Sequence, residues 1–216
     1  MTLQTLQNKK FTVLLISFCV LLFGSIFIPQ NMIKYAIPVL YVQNIIAGLL
    51  LFMHDRKTVF KILLLLVGIA IGLEVGSLFV DYHALRLSLP LVYISYFLLV
   101  SVELYRQVYK SKKVDTEIIA AVFCGFLMLG LLGSYAFILV ETITPGSFGG
   151  ITKDYMHVDL DLLYFSFITI MTIGYGDILP LTPIARKVTM IIGLAGHFYT
   201  VFVLAIIIGK FQSNKD

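Results

Sequence analysis

The hexapeptide Thr172-Ile173-Gly174-Tyr175-Gly176-Asp177 sets two glycines on either side of one tyrosine. Glycine accepts φ > 0 without a Cβ penalty, so consecutive carbonyls in such a stretch can turn to one side, which ordinary L-residues resist. Thr172 adds a hydroxyl oxygen at one end and Asp177 a carboxylate at the other, while Tyr175 can turn its ring outward. Before the hexapeptide, Asp159–Met171 is a short amphipathic-to-apolar run. At about 1.5 Å per residue, a helix there falls short of crossing a bilayer core of about 30 Å. After it, Thr182-Pro183 forms a good N-cap and N1 pair, and a long apolar run follows. A helix that enters a membrane without crossing it, then irregular backbone, is tolerated only where protein shields it or it lines a wet cavity.

Further outward, apolar runs near the spanning length fall at about 11–29, 35–53, 59–80, 87–105, 117–140 and 184–209. The expected fold is an all-α membrane protein with six transmembrane helices and a re-entrant element between the fifth and sixth. Lys9-Lys10 before the first run resembles the start of a secretory signal, but no small-residue cleavage pattern follows, so a retained helix is expected. Six crossings put both termini on one side. Cytoplasmic termini assign 11 Lys and Arg to the inner segments and 5 to the outer ones, the bias that cytoplasmic loops carry. Asp115-Thr116 is a candidate N-cap for the fifth helix, dividing the chain into a four-helix unit, 1–110, and a two-helix unit, 111–216. With only a few residues beyond the sixth run, no ligand-binding domain is expected there.

Composition excludes other classes. The 216 residues are 59% apolar and 13% charged, against about 45–50% and about 25% for soluble domains. The net charge of +4 is small and its basic residues are scattered, so no nucleic-acid partner is expected. Cys19 and Cys124 both sit in apolar runs and suggest neither a disulfide framework nor a metal site. No cluster of His, Cys or carboxylates points to an enzyme, and no cofactor is implied. A secondary transporter would carry paired broken helices in two repeats, whereas a single interruption is present here.

Rings of backbone carbonyls replace the hydration shell of a monovalent cation when four such loops converge. The hexapeptide, with its flanking helices, resembles the potassium channel family, most strongly over Asp159–Lys210. The resemblance implies a selectivity filter at Thr172, Ile173, Gly174, Tyr175 and Gly176, with K⁺ held at Thr172 through Tyr175 and Asp177 at the outer mouth. It also implies a pore helix at Asp161–Met171, outer and inner pore helices in runs five and six, and a hinge at Gly196, with Gly193 as a weaker alternative. Gly196-His197-Phe198-Tyr199 is similar to a prokaryotic subgroup. One pore loop per chain requires three further copies, a homotetramer in the cell membrane passing K⁺ across the bilayer. Three departures stand out: Met171 replaces a common Thr, Trp is absent, and Ile168 occupies a position where some relatives carry a carboxyl group that bonds the outer-mouth Asp. Asp177 must therefore find another partner, and Tyr164 and Phe165 are expected to hold the Tyr175 ring.

Glu141, Asp154, Asp159, Asp161 and Asp177 outnumber Lys153, Arg186 and Lys187 around the hexapeptide and would concentrate cations there. Asp159 or Asp161 equally suits the N-terminus of the short helix. Gly193, Gly196, His197 and Thr200 share one helical face, which makes His197 and Thr200 candidates for lining the cavity. His197 would then suppress current when protonated; bonding to a neighbouring helix is the alternative. The fourth run has no Lys or Arg between Leu87 and Glu103, so weak voltage dependence is expected. Glu74, inside the third run, is a functional candidate or a carboxyl bonded to Gln43, Asn44, Tyr93, Ser95 or Tyr96. A weakly selective cation pore and a non-conducting sensor or accessory subunit are the rival readings.

Overall fold

The computed structural model describes residues 9–29, 33–49, 51, 57–77, 83–111, 115–152 and 155–213. Seven α-helices occur among them: α1 (Lys10–Phe23), α2 (Ile33–Leu49), α3 (Lys57–Ser77), α4 (His83–Lys110), α5 (Thr116–Ile143), α6 (Tyr155–Ile170) and α7 (Pro183–Ser213). Two short strands, β1 (Phe148–Gly149) and β2 (Leu179–Pro180), pair antiparallel. A helix lies in each of the six apolar runs and in the short one, but α1 ends at Phe23, before the expected 29, and α6 begins earlier than expected, at Tyr155. Span ends assigned to residues 53 and 80 lie outside the described residues, as do Arg56, Lys112, Lys113, Lys153, Asp154 and Lys215. So does the Glu74 side chain.

Residues Leu87–Lys110 of α4 and the whole of α5 are long and apolar enough to cross a membrane; α1, Val39–Leu49 and Val59–Leu73 are shorter apolar helices. The chain divides into two compact units, Met1–Phe79 with Leu98–Gly125, and Val80–Phe97 with Phe126–Asp216. Helices α4 and α5 thus contribute a segment to each.

In the first unit, Leu14, Phe18, Ile45, Leu63, Leu104 and Cys124 are buried. The N-cap position of α1 is Lys9, which supplies no side-chain cap. Glu117, from the first turn of α5, does so instead: its carboxylate accepts from the Phe11 amide at 3.0 Å, the Thr12 amide at 3.4 Å and the Thr12 hydroxyl. Asp115 caps α5 as expected, accepting from the Ile118 amide at 2.9 Å. Asn44 donates to Ser17 at 3.0 Å, both side chains being buried. Glu103 is 3% exposed; it pairs with Arg106 at 2.5 Å and accepts from Gln107 at 2.7 Å. Gln107 also donates to the Leu51 carbonyl at 3.0 Å. In the second unit, the Ser95 hydroxyl, a suggested partner for Glu74, bonds the Leu91 carbonyl of its own helix at 2.8 Å.

The second unit has an aromatic core. Phe137 of α5, Phe148 of β1 and Phe165 of α6 have ring centroids 5.1–5.6 Å apart. Val140, Leu162, Ile168, Ile178 and Ala185 complete this cluster. Tyr93 of α4 stacks on Tyr135 of α5 at 4.7 Å. Helix α7 starts where Thr182 accepts from the Ala185 amide at 3.2 Å, with Pro183 first in the helix.

Candidate functional site

Helix α6 has 16 residues, about 24 Å at 1.5 Å per residue, and ends at Ile170, leaving carbonyls without helical partners. Met171 and the start of the hexapeptide take them. Phe167 O accepts from the Met171 amide at 3.0 Å, and Thr169 O from the Thr172 amide at 3.0 Å. Ile168 O accepts from Ile173 at 2.9 Å and from Gly174 at 3.3 Å. Thr172, Gly174 and Gly176 then have φ of 57°, 57° and 80°. Left-handed backbone thus occurs at every second residue. The glycines foretold two of these positions; Thr172 is a third, and a non-glycine there is uncommon. In the single chain, residues 171–177 are all exposed.

Asp177 finds its partner in Tyr164, whose hydroxyl donates to the carboxylate at 2.7 Å. That bond holds the Asp177 carboxyl below the usual carboxylate range, helped by the Asp177 and Ile178 amides. The same bond pushes the Tyr164 hydroxyl up to about 12, because losing its proton would set two anions together. Tyr164 is committed to Asp177, Phe165 turns into the aromatic core, and Tyr175 is 72% exposed in the chain.

A short scaffold fixes the far side of the hexapeptide. Phe148 pairs with Pro180 and Gly149 with Leu179, while the Leu181 amide donates to Ser147 O at 2.8 Å. Gly150, at φ +87°, lies so close to the Asp177 carbonyl that any Cβ would collide with it. Among the acidic residues expected to concentrate cations, two are occupied in building this scaffold. Glu141 accepts from the Gly146 and Phe148 amides at 2.7 and 3.1 Å. Asp161 accepts from the Thr152 amide and hydroxyl, both at 2.7 Å, and so anchors the chain entering α6 rather than capping its first turn.

On α7, Gly196 meets the end of α6: a Cβ there would lie 2.7 Å from Ile170 Cβ and 2.9 Å from its Cα and O. At Gly193 the nearest atom would be Thr169 Cγ2 at an ordinary 3.7 Å. His197 is exposed, its ring 6.4 Å from that of Phe198. The Thr200 hydroxyl bonds the Gly196 carbonyl of its own helix at 3.0 Å. An apolar stripe of α7, including Met190, Leu194, Phe198 and Phe202, is also exposed.

Residues 137–213, the segment holding all of this geometry from Phe137 to the end of α7, match the family model described as "Ion channel". This segment is similar to ion-channel domains. Over 85 residues, 39% of the chain, the sequence is 29% identical to the calcium-gated potassium channel TvoK of Thermoplasma volcanium. The chain spans about a fifth of that relative's length, 22%. No solved structure matches. The segment is thus similar to ion-channel proteins, one of them a potassium channel, and helices α4 and α5 are long and apolar enough to cross a membrane.

Proposed function

We propose that the chain is one subunit of a potassium-selective channel, four copies of which converge so that Thr172, Ile173, Gly174, Tyr175 and Gly176 present stacked carbonyl rings to dehydrated K⁺. The observation that carries this reading is left-handed backbone at Thr172, Gly174 and Gly176 in an exposed strip. Alternation of that kind directs successive carbonyls to one side, as a carbonyl-lined filter requires. In this reading α6 is a re-entrant pore helix, α5 and α7 are the outer and inner helices, and Asp177 stands at the outer mouth. Six helices cross the cell membrane, both termini are cytoplasmic, and residues 1–110 precede a pore unit at 111–216. The exposed apolar stripe of α7 supports homotetrameric assembly, since one copy leaves that face uncovered. Gly196 serves as hinge or close-packing point, and His197 and Thr200 line the cavity. K⁺ is the permeant ion and no cofactor takes part.

The test is purified protein in a planar bilayer with K⁺ on one side and Na⁺ on the other. The expected reversal potential lies far from zero, towards the K⁺ equilibrium value. A reversal near zero would defeat the selectivity, and a chemically cross-linked ladder ending at two subunits would defeat the tetramer.

A further inference from the structure

We propose that Phe167 is a positioning residue for the filter, seated end-on in a notch that Gly130 leaves in α5; the assignment rests on the pore reading above. A Cβ at Gly130 would lie 2.5 Å from Phe167 Cζ, 2.6 Å from Cε1 and 2.9 Å from Cε2. The tip of the ring therefore occupies the space that any other residue at 130 would fill. Beside it, the buried Ser166 hydroxyl donates to the Gly130 carbonyl at 2.6 Å. One glycine thus receives both a ring and a hydrogen bond from consecutive residues of α6, fixing the depth and the rotation of that helix.

The same turn of α6 holds the filter. The carbonyls of Phe167, Ile168 and Thr169 accept the amides of Met171, Thr172, Ile173 and Gly174. Movement of Phe167 along or around the helix axis carries those acceptors with it, and the filter carbonyls follow. A methyl at position 130 would have to displace the ring by about 1 Å to restore ordinary contact near 3.5 Å. Cation discrimination by carbonyl rings depends on where the oxygens stand and how strongly they act, so a shift of this size reaches the property the pore exists to supply. Phe167 touches no ion and acts through the carbonyls.

The experiment is a cycle of Gly130→Ala, Phe167→Leu and the double substitution in the full chain, reconstituted in bilayers. Oligomer thermal stability is measured beside the relative permeabilities of K⁺, Rb⁺, Cs⁺ and Na⁺. Gly130→Ala is expected to change at least one permeability ratio by about threefold or more. The shorter leucine side chain of Phe167→Leu is expected to restore it in the double variant, the coupling expected of groups in contact. Failure of Gly130→Ala to assemble, with assembly and the original ratios regained in the double variant, supports the same assignment. Altered stability with every permeability ratio unchanged would overturn it, leaving Phe167 a packing residue only. A wild-type pore that fails to prefer K⁺ sinks the selectivity reading, while the cycle still tests the positioning through the ratios that pore does have. A wild-type chain that conducts nothing overturns both.

Discussion

Gly196→Ala and Gly193→Ala separate two roles that a glycine in α7 can play. In a helix interior, Gly to Ala is worth about 1 kcal/mol of added helix stability. If the glycines act through backbone freedom alone, both substitutions stabilise a straight α7 by that amount. The contacts differ, however. At 193 the new methyl would sit 3.7 Å from Thr169 Cγ2, ordinary contact, so the propensity gain survives. At 196 it would sit 2.7–2.9 Å from Cβ, Cα and O of Ile170, atoms that no rotamer change can move. Overpacking of this kind costs about 1–3 kcal/mol, which cancels or reverses the gain. The two variants are therefore expected to differ by about 1–3 kcal/mol, Gly193→Ala being the more stable. Thermal dissociation of the detergent-solubilised oligomer reads the difference, with single-channel recording for open lifetimes. Because the obstacle at 196 is backbone and Cβ, adding Ile170→Ala should not rescue Gly196→Ala. Equal stabilisation by both glycine variants would refute the close-packing argument.

Tyr164→Phe removes the donor that holds the Asp177 carboxyl low, so proton block at the outer mouth should move to higher pH. The sign follows from a depressed carboxylate: its bond to Tyr164 is complete above the usual carboxylate range and lost as pH falls through the lowered value. An unchanged pH–current curve would remove Asp177 from that role. Glu117→Ala should destabilise the first unit by about 1 kcal/mol, the worth of a helix cap, and speed amide exchange at Phe11 and Thr12; unchanged exchange would count against the cap. Voltage ramps should produce little change in open probability, because Arg106 is tied to Glu103 on its own helix and each charge moved is worth about 2.3 kcal/mol per 100 mV; steep activation would refute this.

The pore-like segment was legible because its signals are local. Glycines at 174 and 176 foretold left-handed backbone, Thr182-Pro183 foretold the start of α7, and the length of the run before Thr172 foretold a helix too short to span. What stayed hidden depends on which side chain reaches which partner. Ile168 announced that Asp177 lacked a carboxyl partner, yet nothing in the spacing singled out a hydroxyl 13 residues upstream, at Tyr164. Gly150 reads as an ordinary turn glycine until the antiparallel pairing of β1 with β2 brings it onto the Asp177 carbonyl. Thr172 at φ 57° was illegible for a different reason. A threonine disfavours that region, and only the hydrogen bonds from the end of α6 compel it.

The acidic residues show how a charge count misleads when geometry is absent. Five carboxylates near the hexapeptide suggested a field that gathers cations, and Coulomb's law would reward such a cluster. Glu141 and Asp161 instead spend their lone pairs on backbone amides of the loops that frame the hexapeptide. A carboxylate so bonded keeps its charge, so both can contribute to the field while holding the loop. Glutamine or asparagine keeps an acceptor and removes the charge, whereas alanine removes both. Of the two losses, the structure gives the bonds more weight: the Glu141 bonds close the turn that leads into β1, the Asp161 bonds anchor the entry to α6, and the far side of the hexapeptide depends on the shape of that segment. Glu141→Gln should therefore lower conductance at low ionic strength, where screening is weak, and leave the relative permeabilities intact. Glu141→Ala should disturb both at every ionic strength. Equal effects of the two substitutions would show that charge alone matters there.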